Sequence, residues 1–182
     1  MNSLRTLPVL PVKNTVLFPY IHMPFAVGRP TSLAALETAI ATEEKEIVIV
    51  CQRDSSVETP GKDDLYSVGT TAVIKKTAHG EDGRVQVIVL GGERVRIEEF
   101  SCTEPYLEAR VTPYPLPQDE TPEVEALHRE LVELALKALS LAQPQAPPEM
   151  GRALLSSETT MQMVFTIASI FGTAPQKQQA LL

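Results

Sequence analysis

Few residues of this 182-residue chain have the chemistry of a catalyst, and those few stand apart. His22, His79 and His128 fall in a proline-rich turn, a glycine-bearing loop and a helix-patterned stretch. None has a cysteine, histidine or carboxylate partner at metal-ligand spacing. Cys51 and Cys102 make neither a disulfide framework nor a metal cluster. Cys51 closes the run "IVIVC" and reads as a small buried hydrophobe. The phosphate-cradling pattern G-x-x-x-x-G-K-[ST] is absent, and "GGERVRI" (91–97) does not replace it, because it lies in a strand pattern with no helix behind it. The chain is therefore read as a non-enzyme, with no catalytic residue and no metal site, and binding is what remains.

Charge narrows the partners. Residues 1–113 carry 12 Lys+Arg against 15 Asp+Glu, and residues 114–182 carry 4 against 8, so both parts are acidic, at −3 and −4. A nucleic-acid binder shows the opposite balance. The start lacks the apolar stretch of a secretion signal. No apolar run approaches the ~20 residues that span a bilayer, so a cytoplasmic protein with no membrane partner is expected.

Residues 1–113 are β-rich. Strand patterns occur at Val9–Val12, Ile47–Gln52, Val68–Thr77, Val85–Leu90, Arg94–Ile97 and Tyr106–Thr112. "IVIV" (47–50) is apolar on both faces. "RVQVIVL" sets Val85, Val87 and Val89 on one face and Gln86, Ile88 and Leu90 on the other. Gly80 and Asp82-Gly83 signal a hairpin, and Gly91-Gly92 a bulge or tight corner. One helix, capped by Thr31 or Ser32, interrupts the strands. Together these predict a compact, curled antiparallel sheet closed into a small pseudo-barrel. A proline-rich linker comes next at 114–122, and then a helical subdomain at 123–182. There Thr121-Pro122-Glu123 opens a helix with an apolar stripe at Val124, Leu127, Leu131, Leu134, Ala138 and Leu141. Ser156 or Ser157 caps a further helix ending at Gly172. Its Met161/Val164/Ala168/Phe171 face, backed by Met163, Ile167 and Ile170, is expected to be buried. The end at Leu181-Leu182 without a cap suggests a chain cut within an element.

The segment "LPVLPVKNTVLFPYIHMPFAVGRPTSLAALETAI" (7–40) resembles the opening of the N-terminal domain of the Lon family of ATP-dependent proteases. That family begins with a Leu-Pro-x-x-Pro strand, a Val-x-x-Pro turn and a Val-Gly-Arg before its first helix. Leu7-Pro8 with Pro11, Val16 to Pro19, and Val27-Gly28-Arg29 stand at those places. "PGKDDLYSVGTTAVI" (60–74), "EDGRVQVIV" (81–89), "GGERVRI" and the closing "PQKQQALL" extend the series over nearly the whole chain. Lys13 stands where the family usually has Arg, and Gly91-Gly92-Glu93 where it has Glu-Gly-Leu-Gln.

The resemblance implies an α+β fold: a six-stranded, PUA-like pseudo-barrel with one helix, then a C-terminal helical bundle. It implies a domain that binds unfolded or damaged proteins and degradation signals and supports assembly of the full-length hexamer. Neither the family's Ser-Lys peptidase motif nor its ATPase motif is present, so ATP and magnesium would belong to other domains, and this chain is expected to need no cofactor. A stand-alone adaptor or scaffold of the same family is the alternative, followed by an RNA-binding pseudo-barrel, which the acidity opposes.

A capturing domain needs adaptable apolar groups at loops of a rigid sheet. The residues put forward are Phe18, Tyr20, Ile21, His22, Met23 and Phe25, held in a loop against the sheet, with Leu65 and Tyr66, and with Thr77, Ala78 and His79 at the hairpin tip. The structural alternative is that Phe18, Ile21 and Phe25 close the barrel. Asp63, Asp64, Glu81 and Asp82 read as solvated turn residues. Leu127, Leu131 and Leu134 are put forward as contacts to neighbouring subunits of a ring.

Overall fold

The computed structural model describes residues 4–80, 83–116, 121–145, 147–156 and 159–182, apart from the side chains of Pro148 and Leu154. Glu81, Asp82, Ser157 and the middle of the proposed linker lie outside the described residues. The chain forms two compact units: the part up to Pro115 together with Thr173–Leu182, and Leu116–Gly172.

The first unit holds six strands: β1 (Arg5–Val12), β2 (His22–Val27), β3 (Glu46–Cys51), β4 (Val68–His79), β5 (Val85–Cys102) and β6 (Glu108–Pro113). Their order is β2-β5-β4-β3-β1-β6, and a further β5–β6 pairing closes β5, β4, β3, β1 and β6 into a ring with β2 outside it. β5 can serve both roles because it is 18 residues long. Its first half pairs with β2 and the later part of β4, and its second half with the start of β4 and with β6. The two strands read at Val85–Leu90 and Arg94–Ile97 are thus one.

Gly91-Gly92 marks the corner as expected. Thr70 faces Arg94 while Ala72 faces Gly91, so β5 uses three steps where β4 uses two. The sheet is mixed, not antiparallel throughout, since Val9–Val12 of β1 runs parallel to Val48–Cys51 of β3. β2 and the helix α1 (Pro30–Ile40) lie between them in the chain and supply the crossover a parallel pair needs.

β1 and β3 bury both faces. Leu10, Ile47 and Ile49 join a core beneath α1 with Leu17, Leu36, Ile74, Val87 and Val89. Val9, Val48 and Val50 join a second core enclosed with Val95, Leu107 and Val111. α1 begins at Pro30 with Arg29 at the cap position and no side-chain cap, not at Thr31 or Ser32. Proline at the first position sets the helical φ, which moves the cap two or three residues earlier than the hydroxyl pattern suggests.

The second unit contains α2 (Pro122–Ala142), α3 (Pro148–Leu154) and α4 (Thr160–Ile170). Thr121 caps α2 by accepting from the Val124 N–H at 3.3 Å. Thr159, not Ser156, caps α4, and α3 is an element the sequence reading did not contain. His128 is tied to Thr160, Nδ1 to Oγ1, at 2.9 Å. The apolar expectations need correction here. Of α2 only Ala135 is buried. Met163, Phe165 and Ala168 of α4 are buried, but Ile170 and Phe171 are exposed.

The tail leaves the helical group. α5 (Pro175–Leu181) belongs with the sheet, where Gln178 Oε1 accepts from the Val16 N–H at 3.2 Å and Gln179 Nε2 donates to the Val68 carbonyl at 3.0 Å. The helical subdomain read at 123–182 therefore ends near Gly172. Glutamine amides replace the strand partners that the loop after β1 and the start of β4 lack at these positions.

Candidate functional site

The loop after β1 turns inward first. Val16, Leu17 and Phe18 are buried, Phe18 completely (0% exposed), and the Leu17 carbonyl accepts from Thr70 Oγ1 at 2.6 Å. The chain then reverses at Tyr20, whose φ of 68° is left-handed, and the Tyr20 N–H donates to the Gly91 carbonyl at 2.9 Å. Gly91 in turn donates its N–H to the Ile21 carbonyl at 2.9 Å. Tyr20 is left 52% exposed.

From His22 onward the chain is a strand, not a loop. β2 pairs antiparallel with β5 from His22↔Leu90 to Val27↔Val85, and β4 continues the sheet on the other side. Directly paired residues share a face. One face carries Met23, Phe25 and Val27 against Val89, Val87 and Val85, and packs on the first core. The opposite face carries His22, Pro24 and Ala26 beside Leu90, Ile88 and Gln86, flanked by Lys76 and Ala78 of β4. Ile88 is 40% exposed at its centre. Pro24 sits on the outermost strand, where a missing donor costs no ladder bond and discourages edge-to-edge pairing. The proline-rich apolar segment thus supplies a buried plug, a turn and an edge strand in succession.

The sequence-derived candidates separate accordingly. His22 is exposed at one end of the outer face and Ala78 at the other, and Tyr20 is exposed in the turn before β2. Ile21, Met23 and Phe25 are half-buried, the last two against the core. Phe18 is wholly interior, so the barrel-closing alternative holds for it. Leu65 is 3% exposed, a member of the second core. Tyr66 is half-buried under the Arg53 guanidinium, 4.7 Å from its ring centre, and joins no face with Tyr20. Thr77, Ala78 and His79 are exposed strand residues and not the tip, and beyond them the Gly80 N–H donates to the Arg84 carbonyl at 2.8 Å. Ile88 was missed as a site residue. Its row was legible, because Gln86 two positions earlier marks the wet face of an alternating strand.

A concavity of about 460 Å³ lies where β1 and β2 end and α1 begins. Its charged groups are structural. Arg29 donates to the Pro11 carbonyl at 2.8 Å and to Gln52 Oε1 at 2.9 Å, and burial lowers its pKa. Lys13 pairs with Glu58 at 2.9 Å, which holds that carboxyl below its ordinary range. The Arg84 stem covers Gly28, where an added Cβ would meet it at 3.1 Å. Among the described residues no group of three His, Cys, Asp or Glu could hold a metal ion, and no helix is long and apolar enough to cross a membrane.

The curled barrel thus leaves one partly apolar sheet face open, built from β2, β5 and β4. Residues 6–182 match the family model described as the ATP-dependent protease La (LON) substrate-binding domain, and the chain belongs to that family. It is 39% identical over 96% of its length to a Lon protease of Nitrosococcus oceani, and 36% identical over 97% to one of Chloroherpeton thalassium. It is 37% identical over 90% of its length to Lon protease 2 of Thermus thermophilus. The chain spans only about a fifth of each of these relatives: 22%, 21% and 20%. The solved N-terminal domain of Mycobacterium avium complex Lon protease superimposes with a TM-score of 0.74 at 25% identity, covering 97% of this chain and 89% of that one. A Lon N-terminal domain protein of Xanthomonas campestris shares the fold, at a TM-score of 0.53 and 18% identity, covering 91% of this chain and 98% of that one.

Proposed function

We propose that this domain holds unfolded or damaged polypeptides, and exposed degradation signals, for a Lon-type protease whose ATPase and peptidase parts lie outside this chain. It works without catalysis and without a cofactor of its own. ATP and magnesium would act in those other parts, and the whole would operate in the bacterial cytoplasm as a ring of subunits. The observation that carries this reading is the exposed row of His22, Pro24 and Ile88 on a sheet whose other face is locked into the core, with Tyr20 exposed in the turn before it.

Such a face suits a chain with no fixed sequence. Covering roughly 200 Å² of apolar surface at ~25 cal/mol per Å² is worth about 5 kcal/mol before the entropic cost of association, which leaves weak, reversible capture. A folded protein offers no matching exposed apolar strand, so discrimination arises from the substrate's own state.

The test is an amide-shift titration of the chain with one model protein, first folded and then permanently unfolded. Shifts confined to residues 20–26, 76–78 and 86–90, and seen only with the unfolded form, support the reading. No shift with either form at high concentration sinks it.

A further inference from the structure

We infer that the concavity at the start of α1 is a binding site for a carboxylate joined to an apolar body, held by the Arg29 guanidinium and the Ser32 hydroxyl. The inference goes beyond the proposed function and does not rest on capture at the outer face. Two observations converge on it.

The first is a charge without a counter-charge. Arg29 is half-buried, and the oxygens that fix its guanidinium are all neutral. They are the Pro11 carbonyl at 2.8 Å, the Gln52 amide at 2.9 Å and the Glu58 carbonyl at 3.5 Å. The Glu58 carboxylate is taken by Lys13. These bonds aim the guanidinium and leave its charge unmatched, in a chain whose net charge is −7. A cation drawn out of water favours an anion beside it.

The second is Ser32. It lines the same concavity at 3% exposure, and its hydroxyl has no hydrogen-bond partner among the described residues. A buried hydroxyl left unbonded costs stability, and native folds seldom keep one. Ser32 stands in the first turn of α1, an 11-residue helix that no side chain caps. The N–H groups of that turn have lost their usual partner, and the helix dipole favours negative charge there. An oxyanion at this end of α1 accepts from the Ser32 hydroxyl and from those N–H groups, and it answers Arg29.

Shape and charge narrow the ligand. A concavity of about 460 Å³ is far larger than one ion and lies within the range of small-molecule sites. Leu10, Val12 and Phe25 give it an apolar wall. One negative charge answers Arg29, so a carboxylate suits the site better than a phosphate dianion. A free aliphatic acid and the C-terminal residue of a polypeptide both present this chemistry, and the experiment separates them.

An amide-shift titration of the 182-residue chain with hexanoate, N-acetyl-leucine, N-acetyl-leucine amide and inorganic phosphate tests the site. The two acids should shift the Gly28, Arg29, Thr31 and Ser32 amides saturably, with a Kd on the order of 1 mM or below. The amide and phosphate should bind at least about tenfold more weakly. A peptide with a free C-terminal leucine that binds about tenfold more tightly than N-acetyl-leucine marks a chain terminus as the ligand. Equal binding marks a free acid. Ser32→Ala should weaken both acids about three- to tenfold. It should not lower the thermal midpoint, because the fold makes no use of that hydroxyl. Glu58→Gln should tighten binding about two- to threefold by releasing Lys13. Arg29→Gln should abolish binding, with circular dichroism checking the fold; if that variant unfolds, the other two decide. No saturable shift with either acid overturns the inference. So does an amide or phosphate that binds as well as the acids, or acid binding indifferent to both Ser32→Ala and Glu58→Gln. Titration with unfolded protein is repeated on Ser32→Ala. Capture that survives there leaves the proposed function standing whatever becomes of this site, and acid binding without capture leaves this inference standing.

Discussion

The carbonyl oxygen of Phe18 rests on the bare Cα of Gly91, so closely that any Cβ at that position would overlap it. The contact joins the loop after β1 to the corner of β5, and two hydrogen bonds from Tyr20 and to Ile21 flank it. Gly91 has no left-handed φ to accommodate, so its glycine is there for proximity. The next residue repeats the device: a Cβ on Gly92 would stand 2.7 Å from Thr71 Oγ1, the oxygen that accepts from the Glu93 N–H.

Replacing Gly91 with alanine should therefore lift the loop off the strand. Overpacking of this kind costs about 1–3 kcal/mol, read as a lowered thermal midpoint. Gly61→Ala is the control, because its Cβ would meet only Asp64 Oδ2 at an ordinary 3.7 Å, and its effect should stay within about 0.5 kcal/mol. Equal losses at the two positions would refute the close-approach account.

Phe18 and Tyr20 are two residues apart and should fail in different ways. Phe18→Ala opens a cavity in the core and should cost about 3–5 kcal/mol of stability. Tyr20→Ala removes a half-exposed ring and should leave the thermal midpoint within a few degrees while weakening capture of unfolded protein severalfold. Ile88→Lys should act like Tyr20→Ala. If Tyr20→Ala and Ile88→Lys leave capture intact, the outer face is not where substrates bind.

The neighbouring fates of these two aromatics explain how far the sequence could be read. Strand existence was legible wherever alternation was strong, as in 85–90, and so was the corner at Gly91-Gly92, because paired glycines in a strand pattern have few other uses. The strand at 22–27 was not, since Pro24 argued for a loop. Only its place at the sheet's outer edge makes that proline harmless, and edge position is a tertiary fact. Burial within "VLFPYIHMPF" was equally hidden. The plug at Phe18 depends on Gly91, more than seventy residues away, and no local period reports such a contact. The same holds for Leu127 and Leu131, whose spacing looked equivalent until the covered side of α2 was known.

Arg94 holds the end of the first unit's chain together. Its guanidinium donates to the carbonyls of Tyr114, Pro115 and Leu182 and stacks on the Tyr114 ring, 4.2 Å from its centre. Lysine keeps the charge but cannot serve three carbonyls and a ring with a planar fork. Arg94→Lys should loosen α5, costing roughly 1–2 kcal/mol and raising hydrogen exchange at the Gln178 and Leu182 amides. Unchanged exchange there would mean that the two glutamine bonds alone anchor the tail.

At the start of α2, Thr121 and Glu123 act on neighbouring orphan N–H groups, Thr121 on that of Val124 and Glu123 on its own. The Thr121 hydroxyl oxygen accepts from Val124, and Thr121→Ala should cost about 1 kcal/mol at neutral pH. The Glu123 carboxyl is held below its ordinary 4.5, first by a backbone hydrogen bond at the helix start and then by the Thr121 side chain. A carboxylate with a lowered pKa favours the folded helix in its ionised form. Its contribution is complete above the unfolded value and is lost as pH falls through the folded one. Acidification from pH 7 to 5 should therefore leave the first turn unchanged, and fraying should set in only below about pH 4.5. Glu123→Gln should remove the Glu123 share of that acid transition, measured as the difference in pH-dependent amide shifts at Val124 and Glu125. A transition at those amides that is identical in the variant would assign it to other carboxylates and leave Glu123 without a part in holding the helix start.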